Sequence, residues 1–317
     1  MKKILLIAII TLNSFQFYSQ TDSTKVAFVA YWSIGDSYDF KVSKTNQQWK
    51  EDKLVKDQKQ EYIANFTVID STETSYTIKW SYKNNLGNTY NIPQELSDKF
   101  SKYDLIEIIY TTSELGDLIE IINWEEVSET MTSMISDIVN VLSKNDENLA
   151  KKLKNSLEPL SAIYGTRQGI EELVLKELQY FHFPMGVEFD ITHPFYYDDE
   201  LPNMFGGDPI KAKAALTFEN VDFDERFCTI KQELNLNPED TKALLRQVVL
   251  KMNEGNTETE EVLKNAVFEI QDNNTYDYYY YPGVPHKIET VRATTINIDN
   301  SPGKRIDTMT IELIYND

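Results

Sequence analysis

The stretch SYTIKWSY (75–82) alternates without a break. Tyr76, Ile78, Trp80 and Tyr82 fall on one side, and Ser75, Thr77, Lys79 and Ser81 on the other. Successive side chains of a strand point to opposite faces, so such a segment has one buried and one wet face. It needs neighbouring strands to cover its apolar side. The chain supplies them. Tyr38, Phe40 and Val42 share one face, as do Tyr62, Ala64, Phe66 and Val68. VAFVAYW (26–32) reads as a short strand, and residues 104–122 as a hairpin around Glu114–Asp117. The turn-rich pieces SIGD (33–36), DSTETS (70–75) and NNLGN (84–88) separate these runs.

The period then changes. From Trp124, apolar residues recur at helical spacing through Val127, Met131, Met134, Ile138 and Leu142, with Asn123 and Glu126 as a capping box. A second helix carries Leu149, Leu153 and Leu157, and Pro159 is expected to kink or end it. A third starts at a Thr166 cap and runs through Ile170 and Leu178 to Phe181. Strands return after Gly186. Val187, Phe189, Ile191, His193 and Phe195 are expected on one strand face, followed by a long mobile loop over 196–210. Asn237 and Pro238 open one more helix. Strands and helices are thus segregated. The expected fold is α+β, a curved, half-barrel-like antiparallel sheet with a central helical insert packed on one face. A signal peptide over 1–20 precedes a single domain over 21–317. That domain is β-rich over 26–122, helical over 123–182, and β-rich over 186–317 with a helix at 238–253.

The signal peptide rests on Lys2 and Lys3 followed by an apolar Ile4–Leu12, too short to span a bilayer. No cysteine lies near its end, so no lipid anchor is expected, and no later segment reads as a membrane span. The expected location is secreted or periplasmic. Without those two lysines the charge is 29 minus 51, or −22. That argues against nucleic acid and anionic membrane surfaces, which both need cationic contacts. Cys228, the only cysteine, shares a strand face with Ile230, Leu234 and Leu236 and reads as a buried, inert thiol.

The usual motifs for nucleophilic, nucleotide, zinc or calcium chemistry are missing, and no cofactor is expected. The one metal constellation that can be assembled is His193 with Asp198, Asp199 and Glu200, the ligand types of a hard-cation or zinc site. It competes with a packed histidine beside a solvated acidic loop. The aromatic residues point elsewhere. Tyr76 and Trp80, with the run NTYDYYYYPGVPH (274–286), could line a ligand surface. Alternation splits the tyrosines, placing Tyr276, Tyr278 and Tyr280 on one face and Tyr279 and Tyr281 on the other.

The stretches FYSQT (17–21), GDSYDFKV (35–42), TVIDSTETSYTIKWSY (67–82) and GDLIEIINWEEV (116–127) resemble uncharacterised secreted proteins of Gram-negative bacteria. The architecture is similar to periplasmic half-barrel carriers of lipoproteins and lipids, curved sheets with helices across the concave face. That resemblance implies a role in holding an apolar ligand or a protein segment. The expected function is therefore a non-enzymatic binding protein whose partner is an apolar ligand or an envelope protein. The alternatives are a metal-dependent hydrolase built on His193 and the 198–200 loop, and a structural or interaction protein of the envelope.

Overall fold

A computed structural model describes residues 24–83, 100–144, 146–174, 176–201, 203, 208–252, 266–298 and 301–315. The expected signal peptide and the 84–88 turn lie outside these residues. The strands are β1 (Lys25–Phe28), β2 (Ser37–Lys50), β3 (Lys53–Ser71), β4 (Ser75–Lys83), β5 (Leu105–Ser113), β6 (Leu118–Ile121), β7 (Val187–Asp190), β8 (Phe195–Leu201), β9 (Ile210–Asp222), β10 (Phe227–Leu236), β11 (Val267–Tyr279), β12 (Val284–Ile298) and β13 (Ser301–Leu313). The helices are α1 (Trp124–Ser143), α2 (Glu147–Tyr164), α3 (Arg167–Val174), α4 (Lys176–Phe181) and α5 (Pro238–Met252).

The fold is α+β. Eleven strands form one open antiparallel sheet in the order β6-β5-β4-β3-β2-β13-β12-β11-β10-β9-β8, and β1 pairs with β7 in a separate ribbon. Two meanders therefore lie side by side, meeting where β13 pairs with β2. The strands run well past their apolar stretches. β2 and β3 continue through polar sequence to a two-residue turn at Glu51 and Asp52, both at positive φ (49° and 62°). Such a turn matches the twist of the strands it joins.

The inner face of the sheet closes on one turn. Phe181 stacks on Phe66 at 5.3 Å and meets Phe40 and Trp80 edge-on. The Tyr110 hydroxyl, on β5, lies 2.9 Å from Nε2 of His182. The Tyr278 hydroxyl, on β11, donates to the Phe181 carbonyl at 3.2 Å. In the sheet order β5 and β11 are six steps apart, about 29 Å in a flat sheet. Their tyrosines nevertheless reach adjacent residues.

The remaining space is filled by residues 26–32 and the ribbon. Phe28 packs on Phe189, Tyr278 and Tyr280, and Trp32 on Phe66, Tyr76 and His182. Trp32 also donates through its indole N–H to the Gly283 carbonyl. Gly283 has φ +94°, and a Cβ there would come within 2.7 Å of the Val29 carbonyl oxygen. Only glycine permits both that conformation and that approach.

Several expectations are corrected. VAFVAYW pairs as a strand only to Phe28. Beyond it, Ala30 and Tyr31 donate their N–H groups to Leu115 and Pro282 instead. The strand expected across 187–195 breaks. Asp190 accepts from the backbone and hydroxyl of Thr192, turning the chain out of the ribbon and into the large sheet. Much of the expected loop at 196–210 is ordered as strand β8, paired with β9. Helix α2 runs through Pro159 to Tyr164, although proline cannot donate a backbone hydrogen bond there. Asn123 does not cap α1 with its side chain. It accepts from Ile109 N–H and donates to the Glu107 carbonyl, fastening the start of the helix to β5.

Phe181 touches both halves of this core and is wholly buried. Phe181→Ala should cost about 3–5 kcal/mol of unfolding free energy, read from the urea midpoint. A loss below about 1 kcal/mol would show that the core can collapse around the gap.

Candidate functional site

Cross-strand register lays the inner face out in rows. One row runs Tyr62–Val42–Ile311–Ile288–Tyr276–Ile230 across β3, β2, β13, β12, β11 and β10, and all six are buried. The next row on the same face reads Gln60–Lys44–Met309–Thr290–Asn274–Gln232. The row beyond reads Gln58–Asn46–Asp307–Arg292–Asp272. The inner face thus changes from apolar to polar within one step along the strands in five of the six, β13 keeping Met309, and carries charge in the row beyond.

A cavity of about 960 Å³ lies over these polar rows, with Lys176, Glu177 and Tyr180 of α4 on its wall. Its ionic groups are organised in pairs. Arg292 donates through Nε and Nη2 to both oxygens of Asp272, at 2.7 and 2.6 Å. Arg305 holds Asp307 with the same fork, at 2.7 and 2.8 Å, and Asn46 donates to Asp307 at 2.5 Å. Lys44 pairs with Glu177, which also accepts from the Tyr62 hydroxyl at 3.0 Å. Paired geometry of this kind is what allows charges to sit on a partly buried wall.

The environment shifts the titrations accordingly. The Asp272 hydrogen bonds raise the Arg292 pKa despite burial. Burial works to raise Asp307, and the bonds from Arg305 and Asn46 more than reverse it, leaving it below the ordinary carboxylate value. Burial pushes the Tyr180 hydroxyl up to about 12.

The residues expected to bind a ligand lie elsewhere. Tyr76, Trp80, Tyr278 and Tyr280 pack into the core against Trp32, Phe181 and Phe28. None of them lines the cavity. Tyr279 faces outward from β11, as alternation requires, and Tyr281 lies outward in the turn after the strand. The Tyr279 ring meets Phe227 and His286, and its hydroxyl lies 3.2 Å from that of Tyr315. Tyr281 packs against Tyr31 and under the Arg226 guanidinium.

The expected metal set does not converge. His193 is exposed in the turn before β8, not on an apolar strand face. Asp198 and Glu200 project from one face of β8 and Asp199 from the other. Among the described residues, no group of three or more His, Cys, Asp or Glu side chains is placed to hold a metal ion. Cys228 is buried, and burial, with Asp277 second, pushes its thiol up to about 12, away from the reactive thiolate.

The cavity residues were missed because alternation was followed only while it stayed apolar. Phe40-Val42-Lys44-Asn46 and Tyr278-Tyr276-Asn274-Asp272 each keep one period across the change. Carrying the period onward would have placed these charges on the inner face.

Known proteins add little. No family model matches the chain, and no curated protein matches it. Among solved structures, the crystal structure of Ail, the attachment invasion locus protein of Yersinia pestis, aligns over 89% of this chain and 100% of that one, at 4% identity and TM-score 0.16. That likeness is too slight to inform fold or function.

His182 gives the core a pH dependence. It is 4% exposed, and its Nδ1 faces the Gly116 carbonyl at 2.8 Å. Nδ1 therefore carries the proton and Nε2 accepts from Tyr110. Desolvation lowers its pKa to about 4, against the weaker opposing pull of the Gly116 carbonyl. Between about 6.5 and 4 the unfolded chain binds this proton and the folded chain does not. The stability contributed is full above pH 6.5 and is lost as the pH falls towards 4, by on the order of 3 kcal/mol. Denaturation of wild type and His182→Gln across this range should show the smaller loss in the variant. Parallel curves would assign the acid sensitivity to other groups.

Proposed function

We propose that this chain is a non-enzymatic binding protein acting outside the cytoplasm. Its sheet is taken as a half-barrel with the 123–182 helices packed as an insert over one face. The carrying observation is the cavity over the polar rows. At about 960 Å³ it has the size of a small-molecule site, which ordinarily spans about 300–1,000 Å³. The wall is mixed: Tyr180, Phe268, Ile270 and Met309 give it apolar surface beside the charged and amide side chains, while the expected aromatic residues are packed in the core. Ion pairs and amides on the wall favour an occupant that can answer hydrogen bonds. The convergence of β5 and β11 on residues 181–182 supports the curvature of the half-barrel.

A second reading, an interaction protein of the envelope, draws on the outward aromatic cluster. Tyr31, Tyr281 and Tyr315 are 54%, 48% and 60% exposed. Tyr31 packs beside Tyr281 between strands, and Tyr315 beside His286 past the end of β13, and exposed aromatics of this kind are what a protein contact uses.

The cavity reading predicts ligand-dependent stabilisation. A ligand at about 100 times its Kd adds about 2.7 kcal/mol, so thermal unfolding should resolve it. Sugars, amino acids and small carboxylic acids should include a class that raises Tm in wild type but not in Thr294→Trp. Thr294 lies on the cavity wall, and the indole would occupy the space. Stabilisation by long-chain fatty acids alone would overturn the assignment.

A further inference from the structure

We propose that the cavity takes a small anion carrying hydroxyl or amino donors, and that Lys176 pairs with its negative group. This rests on the reading of the cavity as a ligand site. Five cations, Lys44, Lys59, Lys176, Arg292 and Arg305, and four carboxylates, Asp57, Glu177, Asp272 and Asp307, line the cavity. Glu177 is engaged by Lys44, Asp272 by Arg292 and Asp307 by Arg305, Lys59 is taken by Glu61, and Asp57 accepts from the Gln47 amide. Lys176 forms no ion pair among the described residues and is the cation left over. Both arginines spend Nε and Nη2 on aspartate, so their forks are not available to grip a ligand head-on. A lysine acts as a point charge with three donors and is suited to a single carboxylate or phosphate oxygen.

Two further observations support this. The Lys176 side chain is open to solvent and so reachable from the cavity, while desolvation first and the nearby Arg292 charge second draw its ammonium below the ordinary lysine value against Asp272, Asp307 and Glu177. A negative group beside it relieves both effects. Independently, Asn274 on the same wall is 5% exposed, and its Oδ1 has no hydrogen-bond partner while its Nδ2 donates to Gln232. An unmatched buried carbonyl is costly and calls for a donor. A sugar acid, a hydroxy acid or a sugar phosphate provides both the anion and the donor.

The test is calorimetric titration of the full chain with glucuronate, glucose 6-phosphate and glucose. At least one of the two anions should bind about tenfold or more tightly than glucose. Lys176→Gln should remove that preference and leave Tm unchanged, and Lys176→Arg should retain it. Which anion binds better distinguishes a carboxylate from a phosphate ester. Glucose binding as tightly as both anions would overturn the anion assignment and leave the cavity reading standing. An anion preference that survives Lys176→Gln would overturn the role of Lys176. If none of the three binds, and inorganic phosphate leaves the Lys176 signal of ¹³C-methylated protein unmoved, the proposal fails.

Discussion

The packing of Phe181 and His182 against the inner face is the contact on which the rest of the structure depends. A sheet of eleven strands needs its inner apolar rows covered. The 181–183 turn gathers aromatic side chains from β2, β3, β4, β5 and β11 at one point. The polar atoms there are matched as well. The Tyr110 and Tyr278 hydroxyls, both imidazole nitrogens and the Gly116 carbonyl have partners, which a dry core requires. With that region filled, the sheet's apolar rows are consumed by the protein itself.

What remains uncovered is the polar end of the same face. Long strands carry Lys44, Asn46, Asp307, Arg292 and Asp272 beyond the core without changing register. The core and the cavity are therefore two levels of one surface. On β2, β3, β11, β12 and β13 position along the strand decides whether an inward side chain is in the core or faces the cavity, whereas β9 and β10 are apolar at the charged level, with Ala214 and Leu234 buried.

The fold was legible where local signals and tertiary demands agreed. Strict alternation marked β4 and the apolar parts of β2, β3 and β13. Alternation also splits the tyrosines on β11, with Tyr276 and Tyr278 buried inward, while Tyr280 and Tyr281 fall beyond the strand in the turn. The Asn237 cap also held, accepting from the N–H groups of Glu239 and Asp240. Illegible were features set by partners distant in sequence. Nothing local shows that residues 29–32 cross the core, that Asn123 bonds to β5, or that the chain changes sheets after Asp190. The candidate site was missed for a related reason. A lysine or arginine at an inward position looks like a solvated one until the neighbouring strand supplies its aspartate.

The seam between β2 and β13 sets an order of events for assembly. Its partners, such as Asn46 and Asp307, are separated by 261 residues. Each meander can form from local hairpins, but the central ladder must wait for the most distant strand, the slow step that non-local pairing imposes. Until then both β2 and β13 present raw edges able to recruit foreign strands. The cavity straddles that seam, so its walls come together only at the final joining. An occupant would bridge the two halves and bias the chain towards completion over misassembly.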